Sequence, residues 1–264
     1  MTNIFTAAAL SALSFTYQPD VRTAYFSRGR ISEDRPIQSN LLRLDYSLDE
    51  WGGVGLWHWH YNSLTDRLRE KRDCQFTELD WGVLYNHSLK IADGWSLENE
   101  FMLRWFTMLF YHEPYKGQSD KSIFEYCYES SLKNPYLTPT VRFRRGLHGQ
   151  DYLNTRVGLR KPVKTDCFGF VEGLVVTPAV YSDFGNSRMR ALRYGETRPD
   201  GSKWGSGIMS VYLELTASYP INKHFTVYST VQQFGIVDCD ARDVMHSPNR
   251  RDLTVFSVGL KCKF

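Results

Sequence analysis

From Phe256 to Phe264 the chain reads FSVGLKCKF, and every second residue is apolar: Phe256, Val258, Leu260, Cys262 and Phe264. Between them stand the small or cationic Ser257, Gly259, Lys261 and Lys263. A period of two predicts a β-strand with one oily and one wet face. The rhythm recurs along the chain. Met209, Val211, Leu213, Leu215, Ala217 and Tyr219 oppose Ser210, Tyr212, Glu214, Thr216 and Ser218. Trp95, Leu97, Phe101, Leu103, Trp105, Leu109 and Tyr111 oppose Glu98, Glu100 and Arg104, with Asn99 and Thr107 as exceptions. Leu153, Val157 and Leu159 oppose Asn154, Arg156 and Arg160, and Leu42, Leu44, Tyr46 and Leu48 oppose Arg43 and Asp45. Two further strands, Phe168 to Ser182 and Phe225 to Val237, are ambiguous by parity.

Turn signals separate these strands, and the connections alternate short and long. Short ones fall at Asp49-Glu50-Trp51, Ala92-Asp93-Gly94, Asn134-Pro135, Thr165-Asp166-Cys167 and Asn222-Lys223-His224. Longer ones run from Arg30 to Pro36, Thr65 to Cys74, His112 to Ser122, Gly185 to Gly207 and Asp238 to Asp252, with a tight break near Gly146 to Gln150. The count is twelve strands, an even number that brings both termini to one side, expected to be periplasmic. Short turns on one side and long loops on the other are what transmembrane barrels show. Lipid cannot satisfy charges, so the apolar faces are expected outside and the charged faces inside. A soluble sandwich would also alternate, but with its oily faces meeting in a core. The expected architecture is all-β: a transmembrane antiparallel up-and-down barrel of about twelve strands, forming one domain over residues 1–264.

Composition narrows the alternatives. No run approaches the ~18 apolar residues of a spanning helix. The 15% aromatic content excludes disorder and suits strands and interfacial girdles. A net charge of +3, scattered along the chain, does not point to nucleic acid. Residues Met1 to Leu13 are apolar enough for part of a secretory signal but carry no Lys or Arg. Residues 1–9 are read as an N-terminal extension or signal remnant. Five Cys is an odd count for an exported chain. Cys74 and Cys239 fall in expected outer loops and could pair; the alternative is that most thiols are free.

A strand that closes on a terminal aromatic resembles the C-terminal assembly signal of bacterial outer-membrane barrels. That implies a partner in the barrel-assembly machinery, engaged through Phe264. The first third also resembles a family. Tyr25-Phe26-Ser27-Arg28-Gly29-Arg30-Ile31, then Asp34, Pro36-Ile37-Gln38, and later Gly53, Gly55 and Trp57 follow the opening pattern of the outer-membrane porins called TorF or gcw_chp. The segment Glu78-Leu79-Asp80 to Asp93-Gly94 is similar too, so the match covers roughly residues 20–100. Ser27 before Arg28, and Arg30 between Gly29 and Ile31, depart from the motif. The resemblance implies an outer-membrane location and a transport role.

The candidate chemistry lies on the charged faces. Glu78, Asp80, Glu98, Glu100, Glu125 and Glu129 form an acidic block on the fourth to sixth strands, with Arg104 among them. Arg142, Arg144, Arg156 and Arg160 form a basic block on the seventh and eighth. Lining a lumen, they would set a transverse field across a wet pore that passes small polar or ionic solutes. Paired strand to strand, they would fill the barrel instead. The loop Gly185 to Gly207 carries Arg188, Arg190, Arg193 and Arg198. Folded inward it would be a basic constriction; projecting outward it would meet anionic surface lipid such as lipopolysaccharide. In VGLWHWHYN, His58 and His60 share one face and Trp57, Trp59 and Tyr61 the other. The expectation is a polar lumen pair behind an outer aromatic girdle, with a metal held by both His and Asp45, Glu78 or Asp80 as the lesser reading. Asn86-His87-Ser88 superficially resembles the Ser–His arrangement of outer-membrane phospholipases, and His148 has no obvious Ser partner. An enzyme is therefore not expected, and no cofactor is needed. A non-conducting adhesive or structural barrel is the alternative to a channel, and an oligomer is left open.

Overall fold

The computed structural model describes residues 12–27, 30–33, 35–64, 78–108, 122–147, 151–166, 171–245 and 251–264. Its wall is built from twelve antiparallel strands. They are β1 (Leu13–Arg22), β2 (Ile37–Ser47), β3 (Gly53–Ser63), β4 (Glu78–Ala92), β5 (Trp95–Met108) and β6 (Ser122–Lys133). The second half comprises β7 (Thr138–Gly146), β8 (Leu153–Arg160), β9 (Val175–Gly185), β10 (Gly207–Pro220), β11 (Phe225–Ile236) and β12 (Asp252–Lys263). Each strand pairs with its chain neighbours, and β1 pairs with β12, so the ring closes without an edge. Closure matters because lipid offers no partner to an unpaired backbone group. At the seam, Phe15 and Phe264 exchange both backbone N–H···O bonds at 2.9 Å.

The expected alternation sets the two faces of this wall. Leu56, Leu213 and Val258 point outward and are 57–61% exposed, far more than a water-soluble surface tolerates over so wide an area. Trp81 and Trp105 lie among them, and Trp51 and Tyr136 mark the end with the short turns. This apolar exterior with aromatic residues toward both ends is the surface of a transmembrane barrel. Among the described residues no helix is long and apolar enough to cross a membrane, so the crossing is made by strands. Both termini of the described ring lie at the short-turn end, where Thr16 pairs with Lys263.

Four expectations need correction. The turn placed at Thr165-Asp166-Cys167 is a longer excursion between Arg160 and Val175, and Val163–Lys164 pairs there with the foot of β9. Next, Met209 does not share the outward face of β10. A bulge between Asp183 and Phe184 skips it, and the side chain turns inward to be fully buried. Bulges re-aim side chains in this way because one strand gains an unpaired residue. The segment before Arg30 is not part of the wall: Tyr25–Ser27 and Arg30–Glu33 form a separate two-stranded hairpin. Finally, β3 carries its aromatic residues inside and its histidines outside. The pairs Tyr46–Val54 and Leu44–Leu56 face lipid, so by alternation His58 and His60 do too.

The connections at the other end fold over the ring. Helix α1 (Ser187–Tyr194) begins at Asn186, whose side-chain oxygen accepts the Met189 N–H at 2.9 Å. Helix α2 (Cys239–Val244) begins at Asp238, which accepts the Ala241 N–H at 2.9 Å. These caps satisfy N–H groups that have no partner inside the helix. Arg190 ion-pairs with Asp238, lies 4.8 Å from the Trp204 ring centroid and donates to the Gly205 carbonyl, locking the two helices together. Met189, Tyr194, Trp204 and Met209 pack below them against Tyr212, Phe234, Ile236 and Val255.

Candidate functional site: the charged lumen

Below this cap lies a cavity of about 710 Å³ enclosed by the wall. Its lining carries nine cationic side chains (Arg22, Arg43, Arg104, Arg142, Arg144, Arg156, Arg160, Lys261 and Lys263) and five carboxylates (Asp45, Asp80, Glu100, Glu129 and Glu214). Strand parity explains the collection. Most sit at positions whose strand neighbours are apolar and face lipid, where a charge is costly.

The two blocks meet across the β6–β7 pair. Glu129 and Arg142 are register partners and ion-pair through Nε and Nη2. The acidic block contains its own cation: Arg104 Nη2 lies 3.2 Å from Glu125 Oε1, and Nη1 lies 3.8 Å from Asp80 Oδ2. Tyr152 donates a 2.5 Å hydrogen bond to the other oxygen of Glu125. Trp57 and Phe106 flank the guanidinium, with ring centroids 5.5 and 5.3 Å from it. In the basic block, Asp183 receives two parallel 3.0 Å bonds from Arg156, the fork geometry suited to a carboxylate. Arg156 also sits 4.8 Å above the Tyr212 ring. Arg43 bridges Asp45 and Glu100 at 2.7 and 2.6 Å. Glu98 holds Lys133 at 2.5 Å near the short turns, and Glu78 is buried on the interior face of β4. Arg144 is buried and lines the cavity.

Sequence reasoning missed Asp183, which stood one residue beyond a strand of ambiguous parity, and Asp20, which binds Arg22 at 2.5 Å and accepts the Ser39 hydroxyl. Lys261 and Lys263 face the cavity, as the alternation with outward Phe256, Val258 and Leu260 implies. Among the described residues no ion pair holds Lys261, Lys263 or Arg160. All three belong to the short-turn half of their strands, so that half presents cations without carboxylate partners.

The arginines of the long loop lie elsewhere. Arg188 is exposed, Arg193 half-buried, Arg190 is committed to Asp238, and Arg198 pairs with Asp240 above the ring. None of the four lines the cavity. The inward element is instead the first hairpin. Ala24, Tyr25, Phe26 and Ser27 enter the lumen and bound the cavity from the loop end.

The other sequence candidates separate. His58 and His60 hydrogen-bond to each other at 2.9 Å on the outer face. A chain of polar contacts continues through Asn40, at 3.0 Å from His60, to Tyr17. Asp45 and Asp80 face inward and Glu78 is buried on the interior side, so none can complete a metal site with the pair; Asp80 offers His58 only its backbone carbonyl. Among the described residues no group of three or more potential ligands converges. His87 stacks on outward Tyr85, and Ser88 follows it in the same strand and so points to the opposite face, which keeps the two from forming a nucleophile–base pair. His148, Cys74 and residues 1–11 lie outside the described residues. Cys127 at the cavity, exposed Cys239 and Cys262 are free thiols.

A closed antiparallel ring, an apolar exterior and a charged interior define a transmembrane β-barrel of the outer-membrane type. Its fold is that of solved outer-membrane channels. The chain matches an outer membrane channel from Pseudomonas putida F1 with a TM-score of 0.52 at 10% identity, over 96% of this chain and 94% of that one. It matches the NanC porin with a TM-score of 0.51 at 11% identity, over 95% of this chain and 100% of that one. At such identities the likeness is one of fold. No protein-family model matches the sequence, nor does any curated protein.

Proposed function

We propose that the chain is an outer-membrane channel through which small polar or ionic solutes diffuse, with the arginine-bearing cavity as their path. The observation that carries this reading is the 710 Å³ space inside a closed barrel, walled by side chains that hold their charges toward it. A filled barrel would spend all of its charge in cross-strand pairs, whereas Arg160, Lys261 and Lys263 face the cavity without one among the described residues. Arg142, Arg144, Arg156, Arg160 and Arg104 then act as fixed charges and hydrogen-bond donors along the path. Asp80 and Glu125 hold Arg104, Glu129 holds Arg142 and Asp183 holds Arg156, while Glu98 and Glu100 hold Lys133 and Arg43 and Glu78 stands on the interior face. Such rings of charge set ion selectivity without any cofactor. Periplasmic termini, one domain, contact with lipopolysaccharide and engagement of the assembly machinery by Phe264 belong to the same proposal. So does kinship with the TorF or gcw_chp porins, supported by the motif from Tyr25 to Ile31.

The test is single-channel conductance of detergent-refolded protein in a planar bilayer, with Arg142→Ala/Arg144→Ala beside wild type. Discrete steps are expected, and the variant's reversal potential should move toward cations. A second reading, a non-conducting structural or adhesive barrel, is favoured by one observation: the apolar packing beneath α1 and α2. Silence from correctly folded protein that persists when the lumen is widened by substitution would establish that reading instead.

A further inference from the structure

The wall pairs the end of β1 with the start of β2: Arg22 sits opposite Ile37. Of the described residues between them, Tyr25–Ser27 and Arg30–Glu33 pair with each other and not with the ring. Thr23 keeps one backbone bond to Phe256, and the chain then turns into the lumen. There Ala24, Phe26 and Ser27 are buried, although no wall strand pairs with them. Tyr25 and Phe26 are adjacent in sequence and reach opposite ways. The Tyr25 ring lies 5.3 Å from Trp59 and 5.2 Å from Tyr61, both on β3. The Phe26 ring lies 5.1 Å from Tyr212 on β10 and 4.9 Å from Phe234 on β11. Strands β2, β1 and β12 stand between those two anchor points, so the dipeptide forms a chord across the lumen.

A chord on that side leaves the passage on the other. The same cavity that touches Tyr25, Phe26 and Ser27 also touches Arg104, Arg144 and Arg156, from β5, β7 and β8. A solute moving along the lumen must therefore squeeze between the aromatic strap and the arginine wall. The strap is well anchored for this task. Aromatic pairs at these separations contribute beyond the area they bury. The anchoring rings are themselves fixed: Tyr212 stacks on Tyr181 with centroids 4.8 Å apart. Nothing in the fold of the wall requires this arrangement, because Arg22 and Ile37 are already neighbours and a short turn would join them.

From this geometry we infer that the strap Ala24–Ser27 is the constriction of the channel, and that Tyr25 and Phe26 set the largest solute it passes. The inference rests on the channel reading above. It also gives the aromatic pair of the opening motif a physical role: two consecutive aromatic residues break the alternation of a wall strand because each grips a different wall.

The experiment compares wild type with Tyr25→Ala/Phe26→Ala. Two readouts are taken on refolded protein whose barrel is verified by its heat-modifiable gel mobility: single-channel conductance, and swelling of proteoliposomes in glucose, maltose and maltotriose. If the strap is the constriction, conductance rises at least twofold and the variant admits a larger sugar than wild type does. A silent wild type beside a conducting variant also supports the inference, as a strap that closes the lumen. Equal conductance and an equal size limit in the two proteins overturn it while leaving the channel reading intact. Silence from both overturns the channel reading, and the strap's role with it. Should the double variant fail to fold, Tyr25→Ala alone carries the same test with a smaller shift, since its ring is only half-buried.

Discussion

Gly158 and Gly259 show how single residues shape the lumen. Each stands directly opposite a tyrosine, Gly158 across from Tyr181 and Gly259 across from Tyr228. The ring lies over the glycine: a Cβ at Gly158 would come within 2.2 Å of Tyr181 Cδ1, and one at Gly259 within 2.3 Å of the Tyr228 hydroxyl. Aromatic rings can cover the bare backbone of a neighbouring glycine in this way. Because Tyr181 stacks on Tyr212, which in turn contacts Phe26, a side chain at position 158 would push on the strap. Gly158→Ala is therefore expected to destabilise the protein by about 1–3 kcal/mol through overpacking. The measurement is the temperature at which the folded gel band disappears. Cys127 offers a residue-scale probe of the cavity itself, since its thiol lines the lumen. In a variant whose other four cysteines are Ser, a charged methanethiosulfonate reagent is expected to react at Cys127 and reduce conductance. Unchanged current after complete labelling would place the ion path elsewhere.

Among the elements, the two capping helices lie outside the wall and are held to it by apolar packing. Asn186 does more than cap α1: its side chain also accepts the Leu153 N–H at 3.0 Å and donates to the Asp151 carbonyl at 3.2 Å. Replacing a capping Asn by Ala costs roughly 0.5–2 kcal/mol. Asn186→Ala is expected to speed hydrogen exchange of the α1 amides and of Leu153, while leaving the exchange of β9, β10 and the rest of β8 unchanged. Asp238 joins the helices through Arg190, and burial holds the nearby Tyr194 phenol above its ordinary pKa. The helices were not legible in advance. The loop from Gly185 to Gly207 was read through its arginines, whereas its placement follows from Met189, Tyr194 and Trp204 seeking apolar cover. A charge count describes what a loop shows to solvent; it does not reveal which side chains hold the loop down.

At the scale of the whole barrel, closure rests on the β1–β12 seam. It joins the first described strand to the last, so it forms only when the rest of the ring is nearly in place. Phe264 ends that seam with its ring 5.2 Å from His224 and 5.8 Å from Phe225. Phe264→Ala is expected to lower the yield of heat-modifiable barrel in cells at least severalfold. Refolding in detergent, which needs no assembly machinery, should be affected far less. Equal losses in both settings would make the residue a packing element only.

Alternation alone determined that this chain would build a lipid-facing barrel and which residues of most strands would face inward, because a period of two has one stable solution when one side is hydrocarbon. The acidic and basic blocks were readable for the same reason. Parity could not be read where both faces carry rings, as at His58, Trp59 and His60, since either set suits a lipid interface. There the register of β2 and β3 decides, through the outward pairs Tyr46–Val54 and Leu44–Leu56. The mates of the charges, Asp183 for Arg156 and Asp20 for Arg22, also waited on register, which joins residues that sequence separation does not relate. The strap depended on tertiary structure most of all. Tyr25 and Phe26 look like the end of a strand until the ring brings β3 to one side of them and β10 and β11 to the other.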